Sequence, residues 1–450
     1  MAKNAARTRQ LVVLKANPFP ERKTMKIKIS ILVISVFLFS AYALASARTP
    51  EQLVTLAVSD DTATSATAIG ELRAMGPVGL DALFTKYAPD IDRFSKTGEA
   101  TDSWKRLANA LDTVAMQKDA YTSHLYWYTD LDEAKRAARA QNKPILTLRL
   151  LGNLNEEFSC ANSRLFRAVL YSNTTISKYL RDNYILHWKS VRPAPRITID
   201  FGDGRKIERT ITGNSIHYVL DANGTVIDAI PGLYTPTAFL KYVTQANDAS
   251  KAVQKLPLDQ QMKALMKYRK DNFDAIVNER NKVIESTGVQ MTETKTGSLA
   301  ILAAPMAMSK AIVVDEYSIL RVYDDFAKFE PSVNYDDWNK LAAAYSPSEK
   351  LDANSIAMIR RQNAKTGLTE GEFTGLFAKL DSFVALDTTR NDFLFHTKLY
   401  EWLNRDRFGD LETLNALVYD KIFQTPNTDK WLGLYSNDVY TALDGNGIIK

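Results

Sequence analysis

One cysteine in 450 residues is the first constraint. It excludes an intrachain disulfide framework and any zinc or iron–sulfur cage built from several thiolates. Histidine is nearly as scarce, at four residues, which leaves little for a His-rich metal centre. Glycine at 19 and proline at 15 are too few for a collagen-like repeat or a long Gly/Pro-rich disordered chain. A basic body is missing too. The formal net charge is +5, but residues 1–47 hold eight Lys/Arg and one Glu, a net of +7. The remaining 49 basic and 51 acidic residues leave −2, so nothing beyond residue 47 argues for nucleic-acid binding. No phosphate loop, nucleotide fingerprint or Ser-His-Asp order is present.

What is present starts with a leader. Lys26 and Lys28 precede 19 uncharged residues, Ile29 to Ala47, with an apolar centre from Ile31 to Phe39. Small residues at Ala45 and Ala47 fit a signal peptidase, so cleavage is expected after Ala47 and the protein is expected to be secreted or periplasmic. Met25 is the expected start, because such a signal does not need residues 1–24. The other reading is an uncleaved anchor, since a run of this length just spans a bilayer. After cleavage no stable membrane insertion is expected.

Three regions follow. Residues 48–124 read as helices, with a helix hairpin at Gly76-Pro77: glycine ends one helix and proline starts the next. Residues 125–247 alternate. Asp130 caps a helix reaching Gln141, and the apolar run Ile145–Leu151 reads as a buried strand. A helix from about Cys160 to Tyr171, a shorter one ending near Arg181 and a strand from Tyr184 to Val191 follow. Two hairpins turn at Gly202-Asp203-Gly204 and Ala222-Asn223-Gly224; in the second, Asn and Gly both tolerate positive φ. A helix from Thr237 to Gln245 closes this region. Residues 250–450 read as a separate helical domain without recognisable chemistry, with a loop at Ser286–Gly297 and an apolar end at Trp431–Tyr435.

The middle region resembles the thioredoxin-like superfamily. The resemblance is carried by Glu133-Ala134-Lys135, Lys143-Pro144-Ile145-Leu146, the hairpin Tyr218–Gly224, and Gly232 followed by Phe239-Leu240. The order strand, loop, Cys at a helix start, helix, strand, paired strands, helix is also that of such a domain. The expected architecture is therefore an α/β thioredoxin-like domain flanked by α-helical N-terminal and C-terminal regions. Gly152-x-Leu154 and Ser159-Cys160-Ala161-Asn162-Ser163-Arg164-x-x-Arg167, with Trp188 later, resemble the active-site segment of selenoprotein N. Ala161 stands where that family has selenocysteine. Together with Asp200–Arg205, Gly213-Asn214-Ser215 and Pro231–Tyr234, the segment also resembles a family of bacterial thioredoxin-like proteins.

The resemblance implies thiol chemistry at Cys160, where helix-start N–H groups stabilise a thiolate. Arg164 and Arg167 would add positive charge if they turn toward it. Ser163 occupies the resolving position, so a mixed disulfide would form without internal release. The superfamily's cis-Pro is replaced by Asn214-Ser215, which removes the usual substrate clamp. His187 and His217 are candidates to orient or deprotonate the thiol if within hydrogen-bond reach, whereas His124 and His396 read as structural. The other expectation for Cys160 is a buried, inert helix residue. Asp200, Asp203 and Asp221 sit in turns and lack the downstream Glu of a calcium loop. No metal and no cofactor are expected. Three functions stay open: a non-catalytic or weakly redox-active interaction protein with a protein partner, a monothiol oxidoreductase or isomerase acting on a protein thiol, or a structural or envelope role carried by the helical domain.

Overall fold

The computed structural model describes residues 48–210, 213–291, 335–405, 410–423, 428 and 442–443. The leader, the apolar stretch from Ala300 to Phe326 and the end at Trp431–Tyr435 lie outside the described residues. The described residues from Pro50 onward form one compact unit.

The N-terminal region folds as helices α1 (Pro50–Ala57), α2 (Thr62–Ala74), α3 (Pro77–Lys86), α4 (Ala88–Thr97) and α5 (Asp102–Ala115). Asp61 caps α2 by accepting from the Ala63 and Thr64 N–H groups, and Thr101 caps α5 by accepting from Trp104 N–H. Gly76 at φ +71° breaks the chain between α2 and α3, and Pro77 opens α3. The apolar stripes of these helices meet in a core of their own, with Leu72, Leu83, Leu107, Leu111 and Val114 fully or almost fully buried.

The second layer is a five-stranded sheet in the order β1-β3-β2-β6-β7. Its strands are β1 (Trp127–Tyr128), β2 (Ile145–Leu151), β3 (Ile185–Arg192), β6 (Ile216–Leu220) and β7 (Val226–Pro231). β1 and β2 run parallel to β3, while β6 is antiparallel to β2 and β7 to β6. β2 is central and every one of its residues is buried, as an uninterrupted apolar strand requires. β1 had no signal in the sequence, because two residues carry no periodicity. β4 (Arg196–Asp200) and β5 (Lys206–Thr210) form a separate antiparallel ribbon. The hairpin expected at Ala222-Asn223-Gly224 forms, joining β6 to β7. Only Gly224 has positive φ, at +98°. Asp221 folds the loop instead, accepting from Asn223 and Thr225 N–H at 2.8 Å each.

Helix α6 (Leu131–Gln141) starts with the Asp130 carboxylate accepting from Glu133 N–H at 2.7 Å. Helix α7 (Ala161–Leu165) runs into a π-helical turn, Phe166–Tyr171, and α8 (Thr174–Asn183) follows. The closing helix α9 (Pro236–Gln254) is longer than expected, continuing past Gln245.

The C-terminal helices are α10 (Leu258–Thr287), α11 (Tyr335–Tyr345), α12 (Ala353–Gln362), α13 (Glu370–Arg390), α14 (Thr397–Arg405) and α15 (Leu411–Leu417). A π-helical turn, Asn391–His396, joins α13 to α14, and another, Val418–Ile422, extends α15. The expected loop at Ser286–Gly297 begins later, since α10 continues to Thr287. One hydrophobic core runs from Leu125 through Leu148, Ile230 and Leu265 to Leu399 and Tyr419. The sheet and the C-terminal helices thus share a core. Among the described residues no helix is long and apolar enough to cross a membrane.

Candidate functional site

Cys160 is the N-cap residue of α7, with extended backbone, and its N–H donates to Leu151 O at the end of β2. That is the position expected of a nucleophilic thiol. The side chain, however, is 0% exposed. Sγ lies 3.1 Å from Ser215 Oγ and 3.9 Å from Asn214 O. These two residues occupy the loop where a cis-Pro was missed, and no cis peptide bond occurs among the described residues. The loop is itself covered. Tyr419 OH donates to Asn214 O at 3.2 Å, and Asn214 Nδ2 to Phe423 O at 3.4 Å. The C-terminal segment therefore lies over the thiol's neighbourhood and contributes to its seal.

The supporting residues go elsewhere. Ser163 Oγ donates to Cys160 O at 2.9 Å, closing the first turn of α7. Arg164 donates to Thr210 Oγ1, and Arg167 to Leu154 O and Glu156 O. Both guanidinium groups thus brace the loops around α7. His217 Nε2 pairs with Tyr171 OH at 2.7 Å, and burial pushes the imidazole down to about 3. His187 Nδ1 pairs with Thr147 Oγ1 at 2.7 Å. Burial, with Arg149 and Lys189 adding repulsion, holds it down at about 3 as well. Neither imidazole has the basicity or the partner of a general base for Cys160.

Polar atoms next to the thiol lack partners. Ser159 Oγ and both amide atoms of Asn162 are buried without a protein hydrogen bond. Such groups are rare, because each costs about 1–3 kcal/mol.

Two clusters escaped the sequence reading. In the first, His396 lies between two carboxylates, Nδ1 3.1 Å from Asp392 and Nε2 3.5 Å from Asp228. Asp228 comes from β7 and also accepts from Tyr268, Tyr400 and Ala229 N–H. Asp392 accepts from Tyr234, Tyr242 and Tyr345. Burial alone would discharge His396, but the two carboxylates outweigh it and hold the imidazole up at about 9. Burial raises Asp228, and the bonds from His396 and Tyr268 outweigh that and keep it below its usual range. The signal was there: an Asp inside an apolar strand, and an Asp/His pair four residues apart on one helical face.

The second cluster lines a cleft of about 510 Å³ between α5, the turn Met116–Asp119, and α12. Asp112, Lys118 and Asp119 lie on one side, and Arg361 and Gln362 on the other. Trp104 stacks on Phe94 at 3.9 Å, and Tyr121 meets both rings edge-on. Burial first, then Asp119, pushes Asp112 up to about 7. Met116 and Asp119 both have positive φ, at +54° and +58°. Among the described residues no group of His, Cys, Asp and Glu forms a metal site.

Comparison with protein-family models, curated proteins and solved structures finds no match in any of the three.

Proposed function

We propose that this chain is an exported thioredoxin-like protein that has kept the fold as a scaffold and works by binding, without turnover at Cys160. The fold part of this reading is supported by the order of elements: strand, loop, Cys at a helix start, helix, strand, paired strands, helix. The observation that carries the functional part is the burial of Cys160. A thiol at 0% exposure cannot reach a disulfide in line, and exchange depends on access as much as on thiolate character. Ser163 in the resolving position supports the same conclusion. An apolar stripe on α10, with Leu258, Met262 and Met266 exposed, supports an interaction role with a protein partner.

The second reading, a monothiol oxidoreductase or isomerase, draws support from the orphaned polar atoms of Ser159 and Asn162. Buried groups of this kind are a feature of sites that open or take up a ligand. Insulin reduction separates the two. The wild-type chain and Ser163→Cys are both expected to give no turnover, because a second thiol at position 163 would be as buried as the first. Measurable reductase activity in Ser163→Cys would overturn the binding reading, since it requires an accessible Cys160.

A further inference from the structure

The cleft between α5 and α12 remains unused by anything described so far. Its volume, about 510 Å³, lies in the range of about 300–1,000 Å³ typical of small-molecule sites. It sits where the N-terminal helices meet a C-terminal helix. Arg361 bridges them, donating to Tyr121 OH at 3.1 Å and to Ser95 O at 3.0 Å.

The chemistry of the lining selects the ligand. Its charges offset one another: Asp112 and Asp119 face Lys118 and Arg361. Lys105 at the rim is paired with Asp102 at 2.8 Å, and Lys118 also reaches Glu157 at 3.4 Å. Arg167, behind the cleft, faces the same acidic groups. With Asp112 pushed up to about 7, and so about half charged at pH 7, the whole set sums close to neutrality and leaves little charge to call for an ionic ligand. What remains is a dense set of donors and acceptors, with the amides of Asn109, Asn155 and Gln362 among them, beside the aromatic group of Phe94 and Tyr121. Hydroxyl groups both donate and accept, so they match such a lining.

We infer that this cleft binds a neutral polyhydroxylated ligand, a sugar of one or two rings. The left-handed backbone at Met116 and Asp119, unusual for residues other than glycine, shapes the wall that carries Lys118 and Asp119. The side chains of Asn109, Asp119 and Arg361 hold the ring hydroxyls. This inference stands apart from the state of Cys160, so its failure and that of the binding scaffold are separately visible.

Isothermal titration of the full chain at pH 7 tests it, with glucose, N-acetylglucosamine, maltose, cellobiose and chitobiose as probes and putrescine as a cationic control. At least one sugar is expected to bind with a Kd of about 1 mM or tighter, and putrescine not to bind. Asp119→Asn should weaken that sugar at least about tenfold, the order expected for losing a hydrogen bond to a charged group, and Asn109→Ala about fivefold, the order for a neutral one. Both variants are chosen to keep the fold: Asn109 is exposed, and Asn tolerates the left-handed backbone at position 119. Unchanged melting temperatures would show that they do. Absence of sugar binding at 10-fold higher concentration, about 10 mM, would overturn the inference. So would sugar binding indifferent to both variants, or putrescine binding in place of the sugars.

Discussion

His396 shows how far environment controls a side chain. A buried imidazole between Asp228 and Asp392 keeps its proton up to about pH 9. In the unfolded chain it titrates near 6.5. The native state therefore binds more protons between these values. The resulting stability is fully present below about 6.5 and is lost as pH rises through about 9. Thermal melts should show the wild-type chain losing stability across this window relative to His396→Gln. The variant should be less stable at pH 6, where it forfeits the cation between two buried carboxylates. A constant difference between the two proteins from pH 6 to pH 9.5 would contradict a charged His396. The same residue-scale reasoning removes His217 as a base. Its surroundings are the Phe166, Tyr171 and Phe239 rings, and complete burial among them keeps the imidazole neutral.

At the scale of elements, the turn after β7 decides how the C-terminal helices seat. Gly232 has φ +76°, and a methyl group there would come within 2.5 Å of the Asn391 amide. That amide donates to Leu233 O at 2.7 Å, while Leu233 N–H donates to Asp387. Gly232→Ala should cost more than the roughly 1–2 kcal/mol of left-handed strain alone. Urea denaturation of Gly232→Ala, Asn391→Ala and the double variant gives the coupling. The steric part should vanish once Asn391 is shortened, leaving a double variant less destabilised than the sum. Strict additivity would place the cost in the backbone only. Elements with strong local signals were legible in the sequence. The Gly76-Pro77 break, the Asp130 cap, the all-apolar β2 and the helix start at Cys160 are each dictated within a few residues. β1 and the π-helical turns were not, because partners distant in the chain complete them: β3 for β1, His217 for Tyr171, Asp228 for His396. The Cys160 site was legible in position and illegible in burial. Its seal comes from Ser215, Tyr419 and Phe423, and no local pattern announces a contact across that much chain.

The whole molecule departs most from its sequence at the expected boundary near residue 250. Amphipathic helices after a closed α/β unit read as a second domain. In the structure their apolar faces complete the core on the sheet, and Asp228, Tyr234 and Tyr242 meet Asp392, His396 and Tyr345 in a shared polar network. The N-terminal helices do keep a core of their own, joined to α12 through Arg361. This assembly explains why a thiol at a helix start is sealed: Tyr419 and Phe423 hold the Asn214-Ser215 loop that lies against it. Cys160 is therefore inaccessible in the folded chain. Because it is the sole cysteine, intact-mass spectrometry after iodoacetamide treatment reads it alone. No mass shift is expected in native buffer at neutral pH, and a single carbamidomethyl adduct once the chain is unfolded in guanidinium. Complete labelling of the native protein at the rate of a free thiol would contradict it.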